Sequence, residues 1–144
     1  MKLDFSSLEK AIAQLEEALG YYHSPLAKAD VRLALHLRAA TIQAFEFTYE
    51  ISLKMLKRYL QLTDTNPNVI DELTFNELIR TAYEKGLIQS ELAMWKEYRK
   101  ERGTTSHTYD EVKAQGVFEE IPAFLEDAKY LLDQLKKRQA LQRE

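Results

Sequence analysis

A chain of 144 residues, 45% hydrophobic and 30% charged, is long enough for one domain with a core of its own. It has no cysteine, which excludes disulfides, thiolate metal ligands and a cysteine nucleophile, and which suits a reducing cytoplasm. The net charge of −3 excludes an overall electrostatic pull on nucleic acid, and no stretch approaches the roughly 18 apolar residues of a membrane span.

Four glycines and three prolines favour long helices over a turn-rich β fold. The segment Met1 to Phe5 has no apolar run of the kind a signal peptide needs. Ser6-Ser7-Leu8-Glu9 has the form of a capping box opening the first helix. Leu8, Ile12, Leu15, Leu19 and Tyr22 then recur at three- and four-residue steps, one apolar stripe. Tyr21 to Pro25 is the connection, and Tyr21-Tyr22-His23 fits a helix end packing on a neighbour better than a ligand box.

The second helix is expected from about Ala29 to Leu62, a stretch with neither Gly nor Pro. At 1.5 Å per residue it spans about 45–50 Å. It carries two apolar stripes. One is Val31, Leu35, Ile42, Phe45, Tyr49, Leu56 and Leu60; the other is Leu33, Leu37, Ala40, Ala44, Phe47, Ile51 and Met55. A helix apolar on two faces has more to bury than one small bundle offers it, and a homodimer is the simplest solution. His36 has no ligand-type neighbour at a favourable helical step except Arg32 and is taken as structural. Glu46, Glu50 and Lys54, at four-residue steps, fit an ion-pair ladder along the helix.

Thr63 to Asn68 is a loop, and Thr74-Phe75-Asn76-Glu77 is a second capping box. Phe75, Leu78, Ile79 and Ala82 line the short helix that it opens, and Gly86 ends it. Ser90 is expected to cap the next helix, whose inward residues are Leu92, Trp95 and Tyr98 and whose last turn carries Arg102. Gly103 should stop that helix, and Thr108-Tyr109-Asp110-Glu111 should start a short one ending at Gly116. The last helix is expected over about Val117 to Arg138, burying Ile121, Leu125, Ala128, Leu131, Leu132 and Leu135. Pro122 requires it either to start near Ile121 or to kink there, and Lys136 to Glu144 should fray. The expected architecture is all-α: an antiparallel four-helix up-and-down bundle with short additional helices, residues 1–144 forming one domain.

Chemistry concentrates in Tyr98 to Tyr109, where Arg102, His107 and Tyr109 crowd beside Gly103 and Thr104-Thr105-Ser106. Arg102 and His107 stand five positions apart, which on one continuous helix is roughly 140° of rotation. A turn between them brings both into one cleft. Arginine holds phosphate through paired charge-assisted hydrogen bonds, and histidine moves protons near neutral pH. Lys96, Arg99, Lys100 and Arg102 make a local basic run against Glu97 and Glu101, either a solvated helix face or a phosphate-binding one. The ordinary alternative for an Arg and a His at a helix end is a dipole partner and a capping donor. No phosphate-cradling glycine loop, H-E-x-x-H pair or metal-type carboxylate cluster is present, so no metal or other cofactor is expected.

The R-x-x-x-x-H-x-Y pattern of Arg102, His107 and Tyr109 resembles the signature of the HEPN superfamily, in its HepT branch. Ala44-Phe45-Glu46 with Lys54-x-x-Lys57-Arg58-Tyr59-Leu60 is similar to that family's second helix. Thr81-Ala82-Tyr83-Glu84-Lys85-Gly86-Leu87-Ile88 and Trp95 resemble the approach to its motif. These proteins are also called nucleotidyltransferase substrate-binding proteins and resemble the C-terminal helical domain of kanamycin nucleotidyltransferase.

The resemblance implies a metal-independent endoribonuclease toxin, with Arg102 and His107 catalytic and Lys96, Arg99 and Ser106 as candidate substrate-binding residues. It implies a homodimer whose two motifs share one cleft. It also implies a separate small nucleotidyltransferase of the MNT type as antitoxin, able to add AMP to Tyr109. The alternative is a non-catalytic module that binds substrate or nucleotide for a split nucleotidyltransferase. The extra stripe of the second helix then serves either the dimer or that partner. One departure favours the module: family ribonucleases carry a polar residue, often Asn, where this chain has Gly103. The nucleotidyltransferase's own G-S-x-D type signature is absent from this chain.

Overall fold

The computed structural model describes residues 3–142, and among them every regular element is helical. The order is α1 (Ser6–Tyr22), α2 (Pro25–Ala29), α3 (Val31–Thr63), α4 (Pro67–Asp71), α5 (Phe75–Glu84), α6 (Leu92–Thr104), a 3-10 turn (Thr105–His107) and α7 (Glu111–Gln142). The four long helices alternate in direction. Lys129 pairs with Glu16 and Lys136 with Glu9, so α1 runs antiparallel to α7. Gly116 lies against Glu101 while Asp127 meets Tyr98, so α6 runs antiparallel to α7. Arg38 meets Glu111 and Phe45 meets Phe124, so α3 runs parallel to α7 and antiparallel to α6.

The periodic stripes pack as their spacing predicts. Leu8, Ile12 and Leu15 of α1 are buried with Leu19 and Tyr22 half-buried, and Tyr22 meets Phe118 at 4.5 Å between ring centroids. At the centre lies an aromatic cluster: Phe124 of α7 stands edge-on to Phe45 at 5.0 Å and to Tyr98 at 5.3 Å. Trp95 is wholly buried beside them, although its indole N–H has no hydrogen-bond partner. An unpaired donor costs about 1–3 kcal/mol, whereas burying some 200 Å² of indole contributes roughly 5 kcal/mol, so packing prevails.

Helix ends depart from expectation in several places. At α1 the Ser6 hydroxyl makes no cap; the Asp4 carboxylate instead accepts the Ser6 N–H at 2.9 Å. The Thr74–Glu77 capping box forms in full. Gly86, at φ 74°, turns the chain after α5 while Leu87 N–H bonds Ala82 C=O at 3.0 Å. Ser90 does not cap α6, because its hydroxyl is donated to Asp127.

Gly103 does not stop α6, which runs on to Thr104. Asp110 rather than Thr108 caps α7, accepting from Val112 and Lys113 N–H at 2.9 and 3.2 Å. Nor do Gly116 and Pro122 divide α7, which is one 32-residue helix. Pro122 faces solvent while Ile121, Phe124 and Leu125 are buried around it. The contacts of that face outweigh the single backbone bond that proline forgoes. The expected fraying from Lys136 is not seen: α7 stays helical to Gln142, and Arg143 and Glu144 lie outside the described residues.

The long helix α3 buries much of both its stripes within the chain. Ile42, Phe45, Tyr49, Leu56 and Leu60 of the first are buried, as are Ala44 and Met55 of the second, with Phe47 and Ile51 half-buried against them. Ala40 and the first two turns are different. Val31 is 75% exposed and Leu35 46%, as is Leu26 of α2, at 71%. No helix among the described residues is long and apolar enough to cross a membrane.

Candidate functional site

Arg102 leaves the last turn of α6 toward the middle of α3. Its Nε donates to Oε1 of Glu50 at 3.1 Å, Nη2 donates to the same oxygen, and Glu46 Oε1 lies 3.4 Å from Nη2. The other terminal nitrogen, Nη1, donates to the Thr105 hydroxyl at 3.3 Å. Thr105 is buried and passes its own hydrogen to the Arg102 carbonyl at 2.8 Å, so its oxygen is free to accept. The guanidinium is thus gripped from α3 and from its own helix end.

The spacing of Glu46, Glu50 and Lys54 predicts an ion-pair ladder along α3, but both carboxylates pair with Arg102 instead. Their one-turn spacing is the signal the sequence carries; the partner across the bundle is not in it.

The chain leaves α6 after Thr104. The 3-10 turn Thr105–His107 sets His107 and Tyr109 on the surface, with Thr108 Oγ1 donating to Thr105 C=O at 3.3 Å. His107 Nδ1 lies 3.4 Å from the Tyr109 hydroxyl, and the two rings stand edge-to-face at 6.0 Å. A phenol donating to Nδ1 leaves the proton of a neutral imidazole on Nε2. Tyr109 is 86% exposed. The structure therefore joins His107 to Tyr109 and Arg102 to Glu50, Glu46 and Thr105. No hydrogen bond among the described residues links Arg102 to His107.

The other predicted residues are less gathered. Lys96 and Ser106 are exposed. Arg99 lies over the Phe75 ring at 4.6 Å, so α5 supports its guanidinium. Tyr49, buried beneath, feels both Arg99 and Arg102; burial nevertheless dominates and pushes its phenol up to about 12. It stays a neutral hydroxyl at physiological pH.

Two polar links tie α7 to its neighbours, and sequence reasoning misses both. Arg38 of α3 donates from Nη1 and Nη2 to the two Glu111 oxygens at 2.7 Å each, pinning the first turn of α7 just beyond Tyr109. Asp127 accepts the Ser90 hydroxyl at 2.8 Å and the Tyr98 hydroxyl, locking α6 to α7. Beside Arg38 a cavity of about 390 Å³ opens between Tyr22, His23, Lys28, Val31, Leu35 and Glu111.

Comparison with known proteins agrees with the helical fold. A curated relative from Haemophilus influenzae, named "Probable ribonuclease HepT", is 40% identical over 134 residues, 93% of this chain and 88% of that protein. A solved Haemophilus influenzae structure is described as showing the fold of a substrate binding domain of a nucleotidyltransferase. It superposes with a TM-score of 0.86 at 36% identity, covering 92% of this chain and 99% of that one. A second, from Thermus thermophilus, gives a TM-score of 0.61 at 28% identity, covering 89% and 98%. A family model described as "Nucleotidyltransferase substrate binding protein like" matches residues 3–137. With the HepT relative, the superposable bundle and a match over almost its whole length, the chain belongs to the family of nucleotidyltransferase substrate-binding-like proteins.

Proposed function

We propose that this protein is a cytoplasmic endoribonuclease toxin that cuts RNA through Arg102 and His107 without a metal. The observation that carries the reading is the placement of an anchored Arg102 in the last turn of α6 and a surface His107 closing the 3-10 turn that follows, in a relative of a probable ribonuclease HepT. In the cut, the ribose 2′-oxygen bonds to phosphorus and the bond to the 5′-oxygen breaks, leaving a 2′,3′-cyclic phosphate. An imidazole takes the 2′-hydroxyl proton and an imidazolium returns one to the 5′-oxygen. The Arg102 guanidinium stabilises the charge that builds on the phosphorane. A homodimer supplies both protonation states from two copies of His107. The exposed apolar residues Leu26, Val31 and Leu35, with Val112 at the start of α7, support such pairing near the site.

A separate small nucleotidyltransferase acts as the antitoxin, adding AMP to the Tyr109 phenol. The exposure of that hydroxyl and its contact with His107 support the assignment. Bulk and negative charge placed there close the cleft to RNA.

The test uses protein purified free of partner and unmodified, on an RNA oligonucleotide and on one with a 2′-deoxy sugar at the cut. Cyclic-phosphate ends, lost in His107→Ala and with the deoxy substrate, are expected. The second reading, a substrate- or nucleotide-binding subunit for a nucleotidyltransferase, is favoured by the two carboxylates already on Arg102 and by Gly103. Absence of cleavage by the free protein overturns the enzyme in favour of that module.

A further inference from the structure

Glu50 contacts the guanidinium on which the proposed cut depends, although it lies 52 positions away in the chain. A guanidinium has five N–H donors. Glu50 takes the one on Nε and one on Nη2, and Thr105 takes one on Nη1. This leaves one donor on each terminal nitrogen. Glu46, at 3.4 Å, adds charge without a hydrogen bond. The Arg102 side chain is 28% exposed, so the group is anchored while still reaching solvent.

We propose that Glu50 is a positioning residue: it fixes the Nε edge of Arg102, with Thr105 as the second anchor, so that the remaining donors meet a phosphate in one orientation. An unanchored arginine at a helix end samples many rotamers and would have to be ordered at each encounter. A positioned one meets the developing charge without reorganising. The contribution of Glu50 is therefore expected in kcat rather than in KM.

The inference rests on the ribonuclease reading, and its test separates the two. Cleavage by Glu50→Ala is expected to fall about 10- to 100-fold in kcat, the scale of a misplaced catalytic group, with KM little changed. Glu50→Gln should recover part of the loss, because its amide oxygen still accepts from Nε. Thermal unfolding and circular dichroism check that both variants keep the bundle. Wild-type kcat in Glu50→Ala, a change confined to KM, or no advantage of Gln over Ala overturns the proposal.

If the wild type itself does not cut RNA, the ribonuclease reading falls, and nitrogen-resolved NMR of Arg102 still decides the positioning. A resolved, slowly exchanging Nε–H signal, assigned through Arg102→Lys, is expected in the wild type. It should be lost in Glu50→Ala and in the double variant with Glu46→Gln. Its absence from the wild type, or its persistence in Glu50→Ala or in the double variant, overturns the proposal.

Discussion

Arg38 and Glu111, 73 positions apart, form a two-pronged ion pair that ties the middle of the N-terminal half of α3 to the first turn of α7. The hydrogen bonds from Arg38, more than its charge alone, hold the Glu111 carboxyl below its usual range. A carboxyl whose pKa falls on folding adds stability above its unfolded value, and that stability is lost as pH falls through the folded value. Arg38→Met should therefore unfold at a lower temperature than the wild type at pH 7, with the gap narrowing below about pH 4. Melting temperature against pH checks this; a gap that is constant with pH contradicts the pairing.

Gly103 is the next-to-last residue of α6, and a Cβ added there meets nothing within 4 Å. Glycine in a helix interior costs about 0.5–1 kcal/mol relative to alanine. Gly103→Ala, one position from the helix end, should raise the free energy of unfolding by up to that amount, read from urea denaturation. A loss of stability would mean that α6 ends at 103 after all.

Tyr98 donates to Asp127 from a site with no solvent exposure, and burial pushes its phenol well above the usual range. Tyr98→Phe keeps the ring but leaves the buried carboxylate with the Ser90 hydroxyl as its remaining side-chain donor. A loss of about 1–3 kcal/mol is expected, the cost of an unmade bond to a buried charged group. Replacing Asp127 by Asn in the same background should recover part of it.

Arg102→Lys keeps the positive charge but replaces a planar fork by a point donor. Lysine cannot serve Glu50, Thr105 and a phosphate together. RNA cleavage is expected to drop by about 10²–10³-fold, as when a group aimed at developing charge is removed. Near-normal cleavage by the lysine variant would show that charge alone suffices.

The helices are legible in the sequence because their signal is local. Leu8, Ile12 and Leu15, or Ile121, Leu125 and Ala128, repeat at the helical period whatever lies opposite. The Thr74 cap is legible for the same reason. Propensity predicts breaks at Gly103, Gly116 and Pro122 that do not occur, because the packed face of each helix outweighs a weak local preference. Within the site, the segment Arg102 to Tyr109 is legible as a cluster of reactive groups. The carboxylates of Glu46 and Glu50 are visible only as a pair, and Arg38 and Asp127 not at all. Each acts across the bundle, on residues 29 to 77 positions away, and no short window holds both members.

The 86% exposure of Tyr109 bears on how a covalent mark there would be tolerated. A group attached to that oxygen projects into water and displaces no packed neighbour, so the marked and unmarked chains should melt at the same temperature. Control exercised at such a position is a matter of blocked access, and removing the mark restores the original protein without a round of refolding.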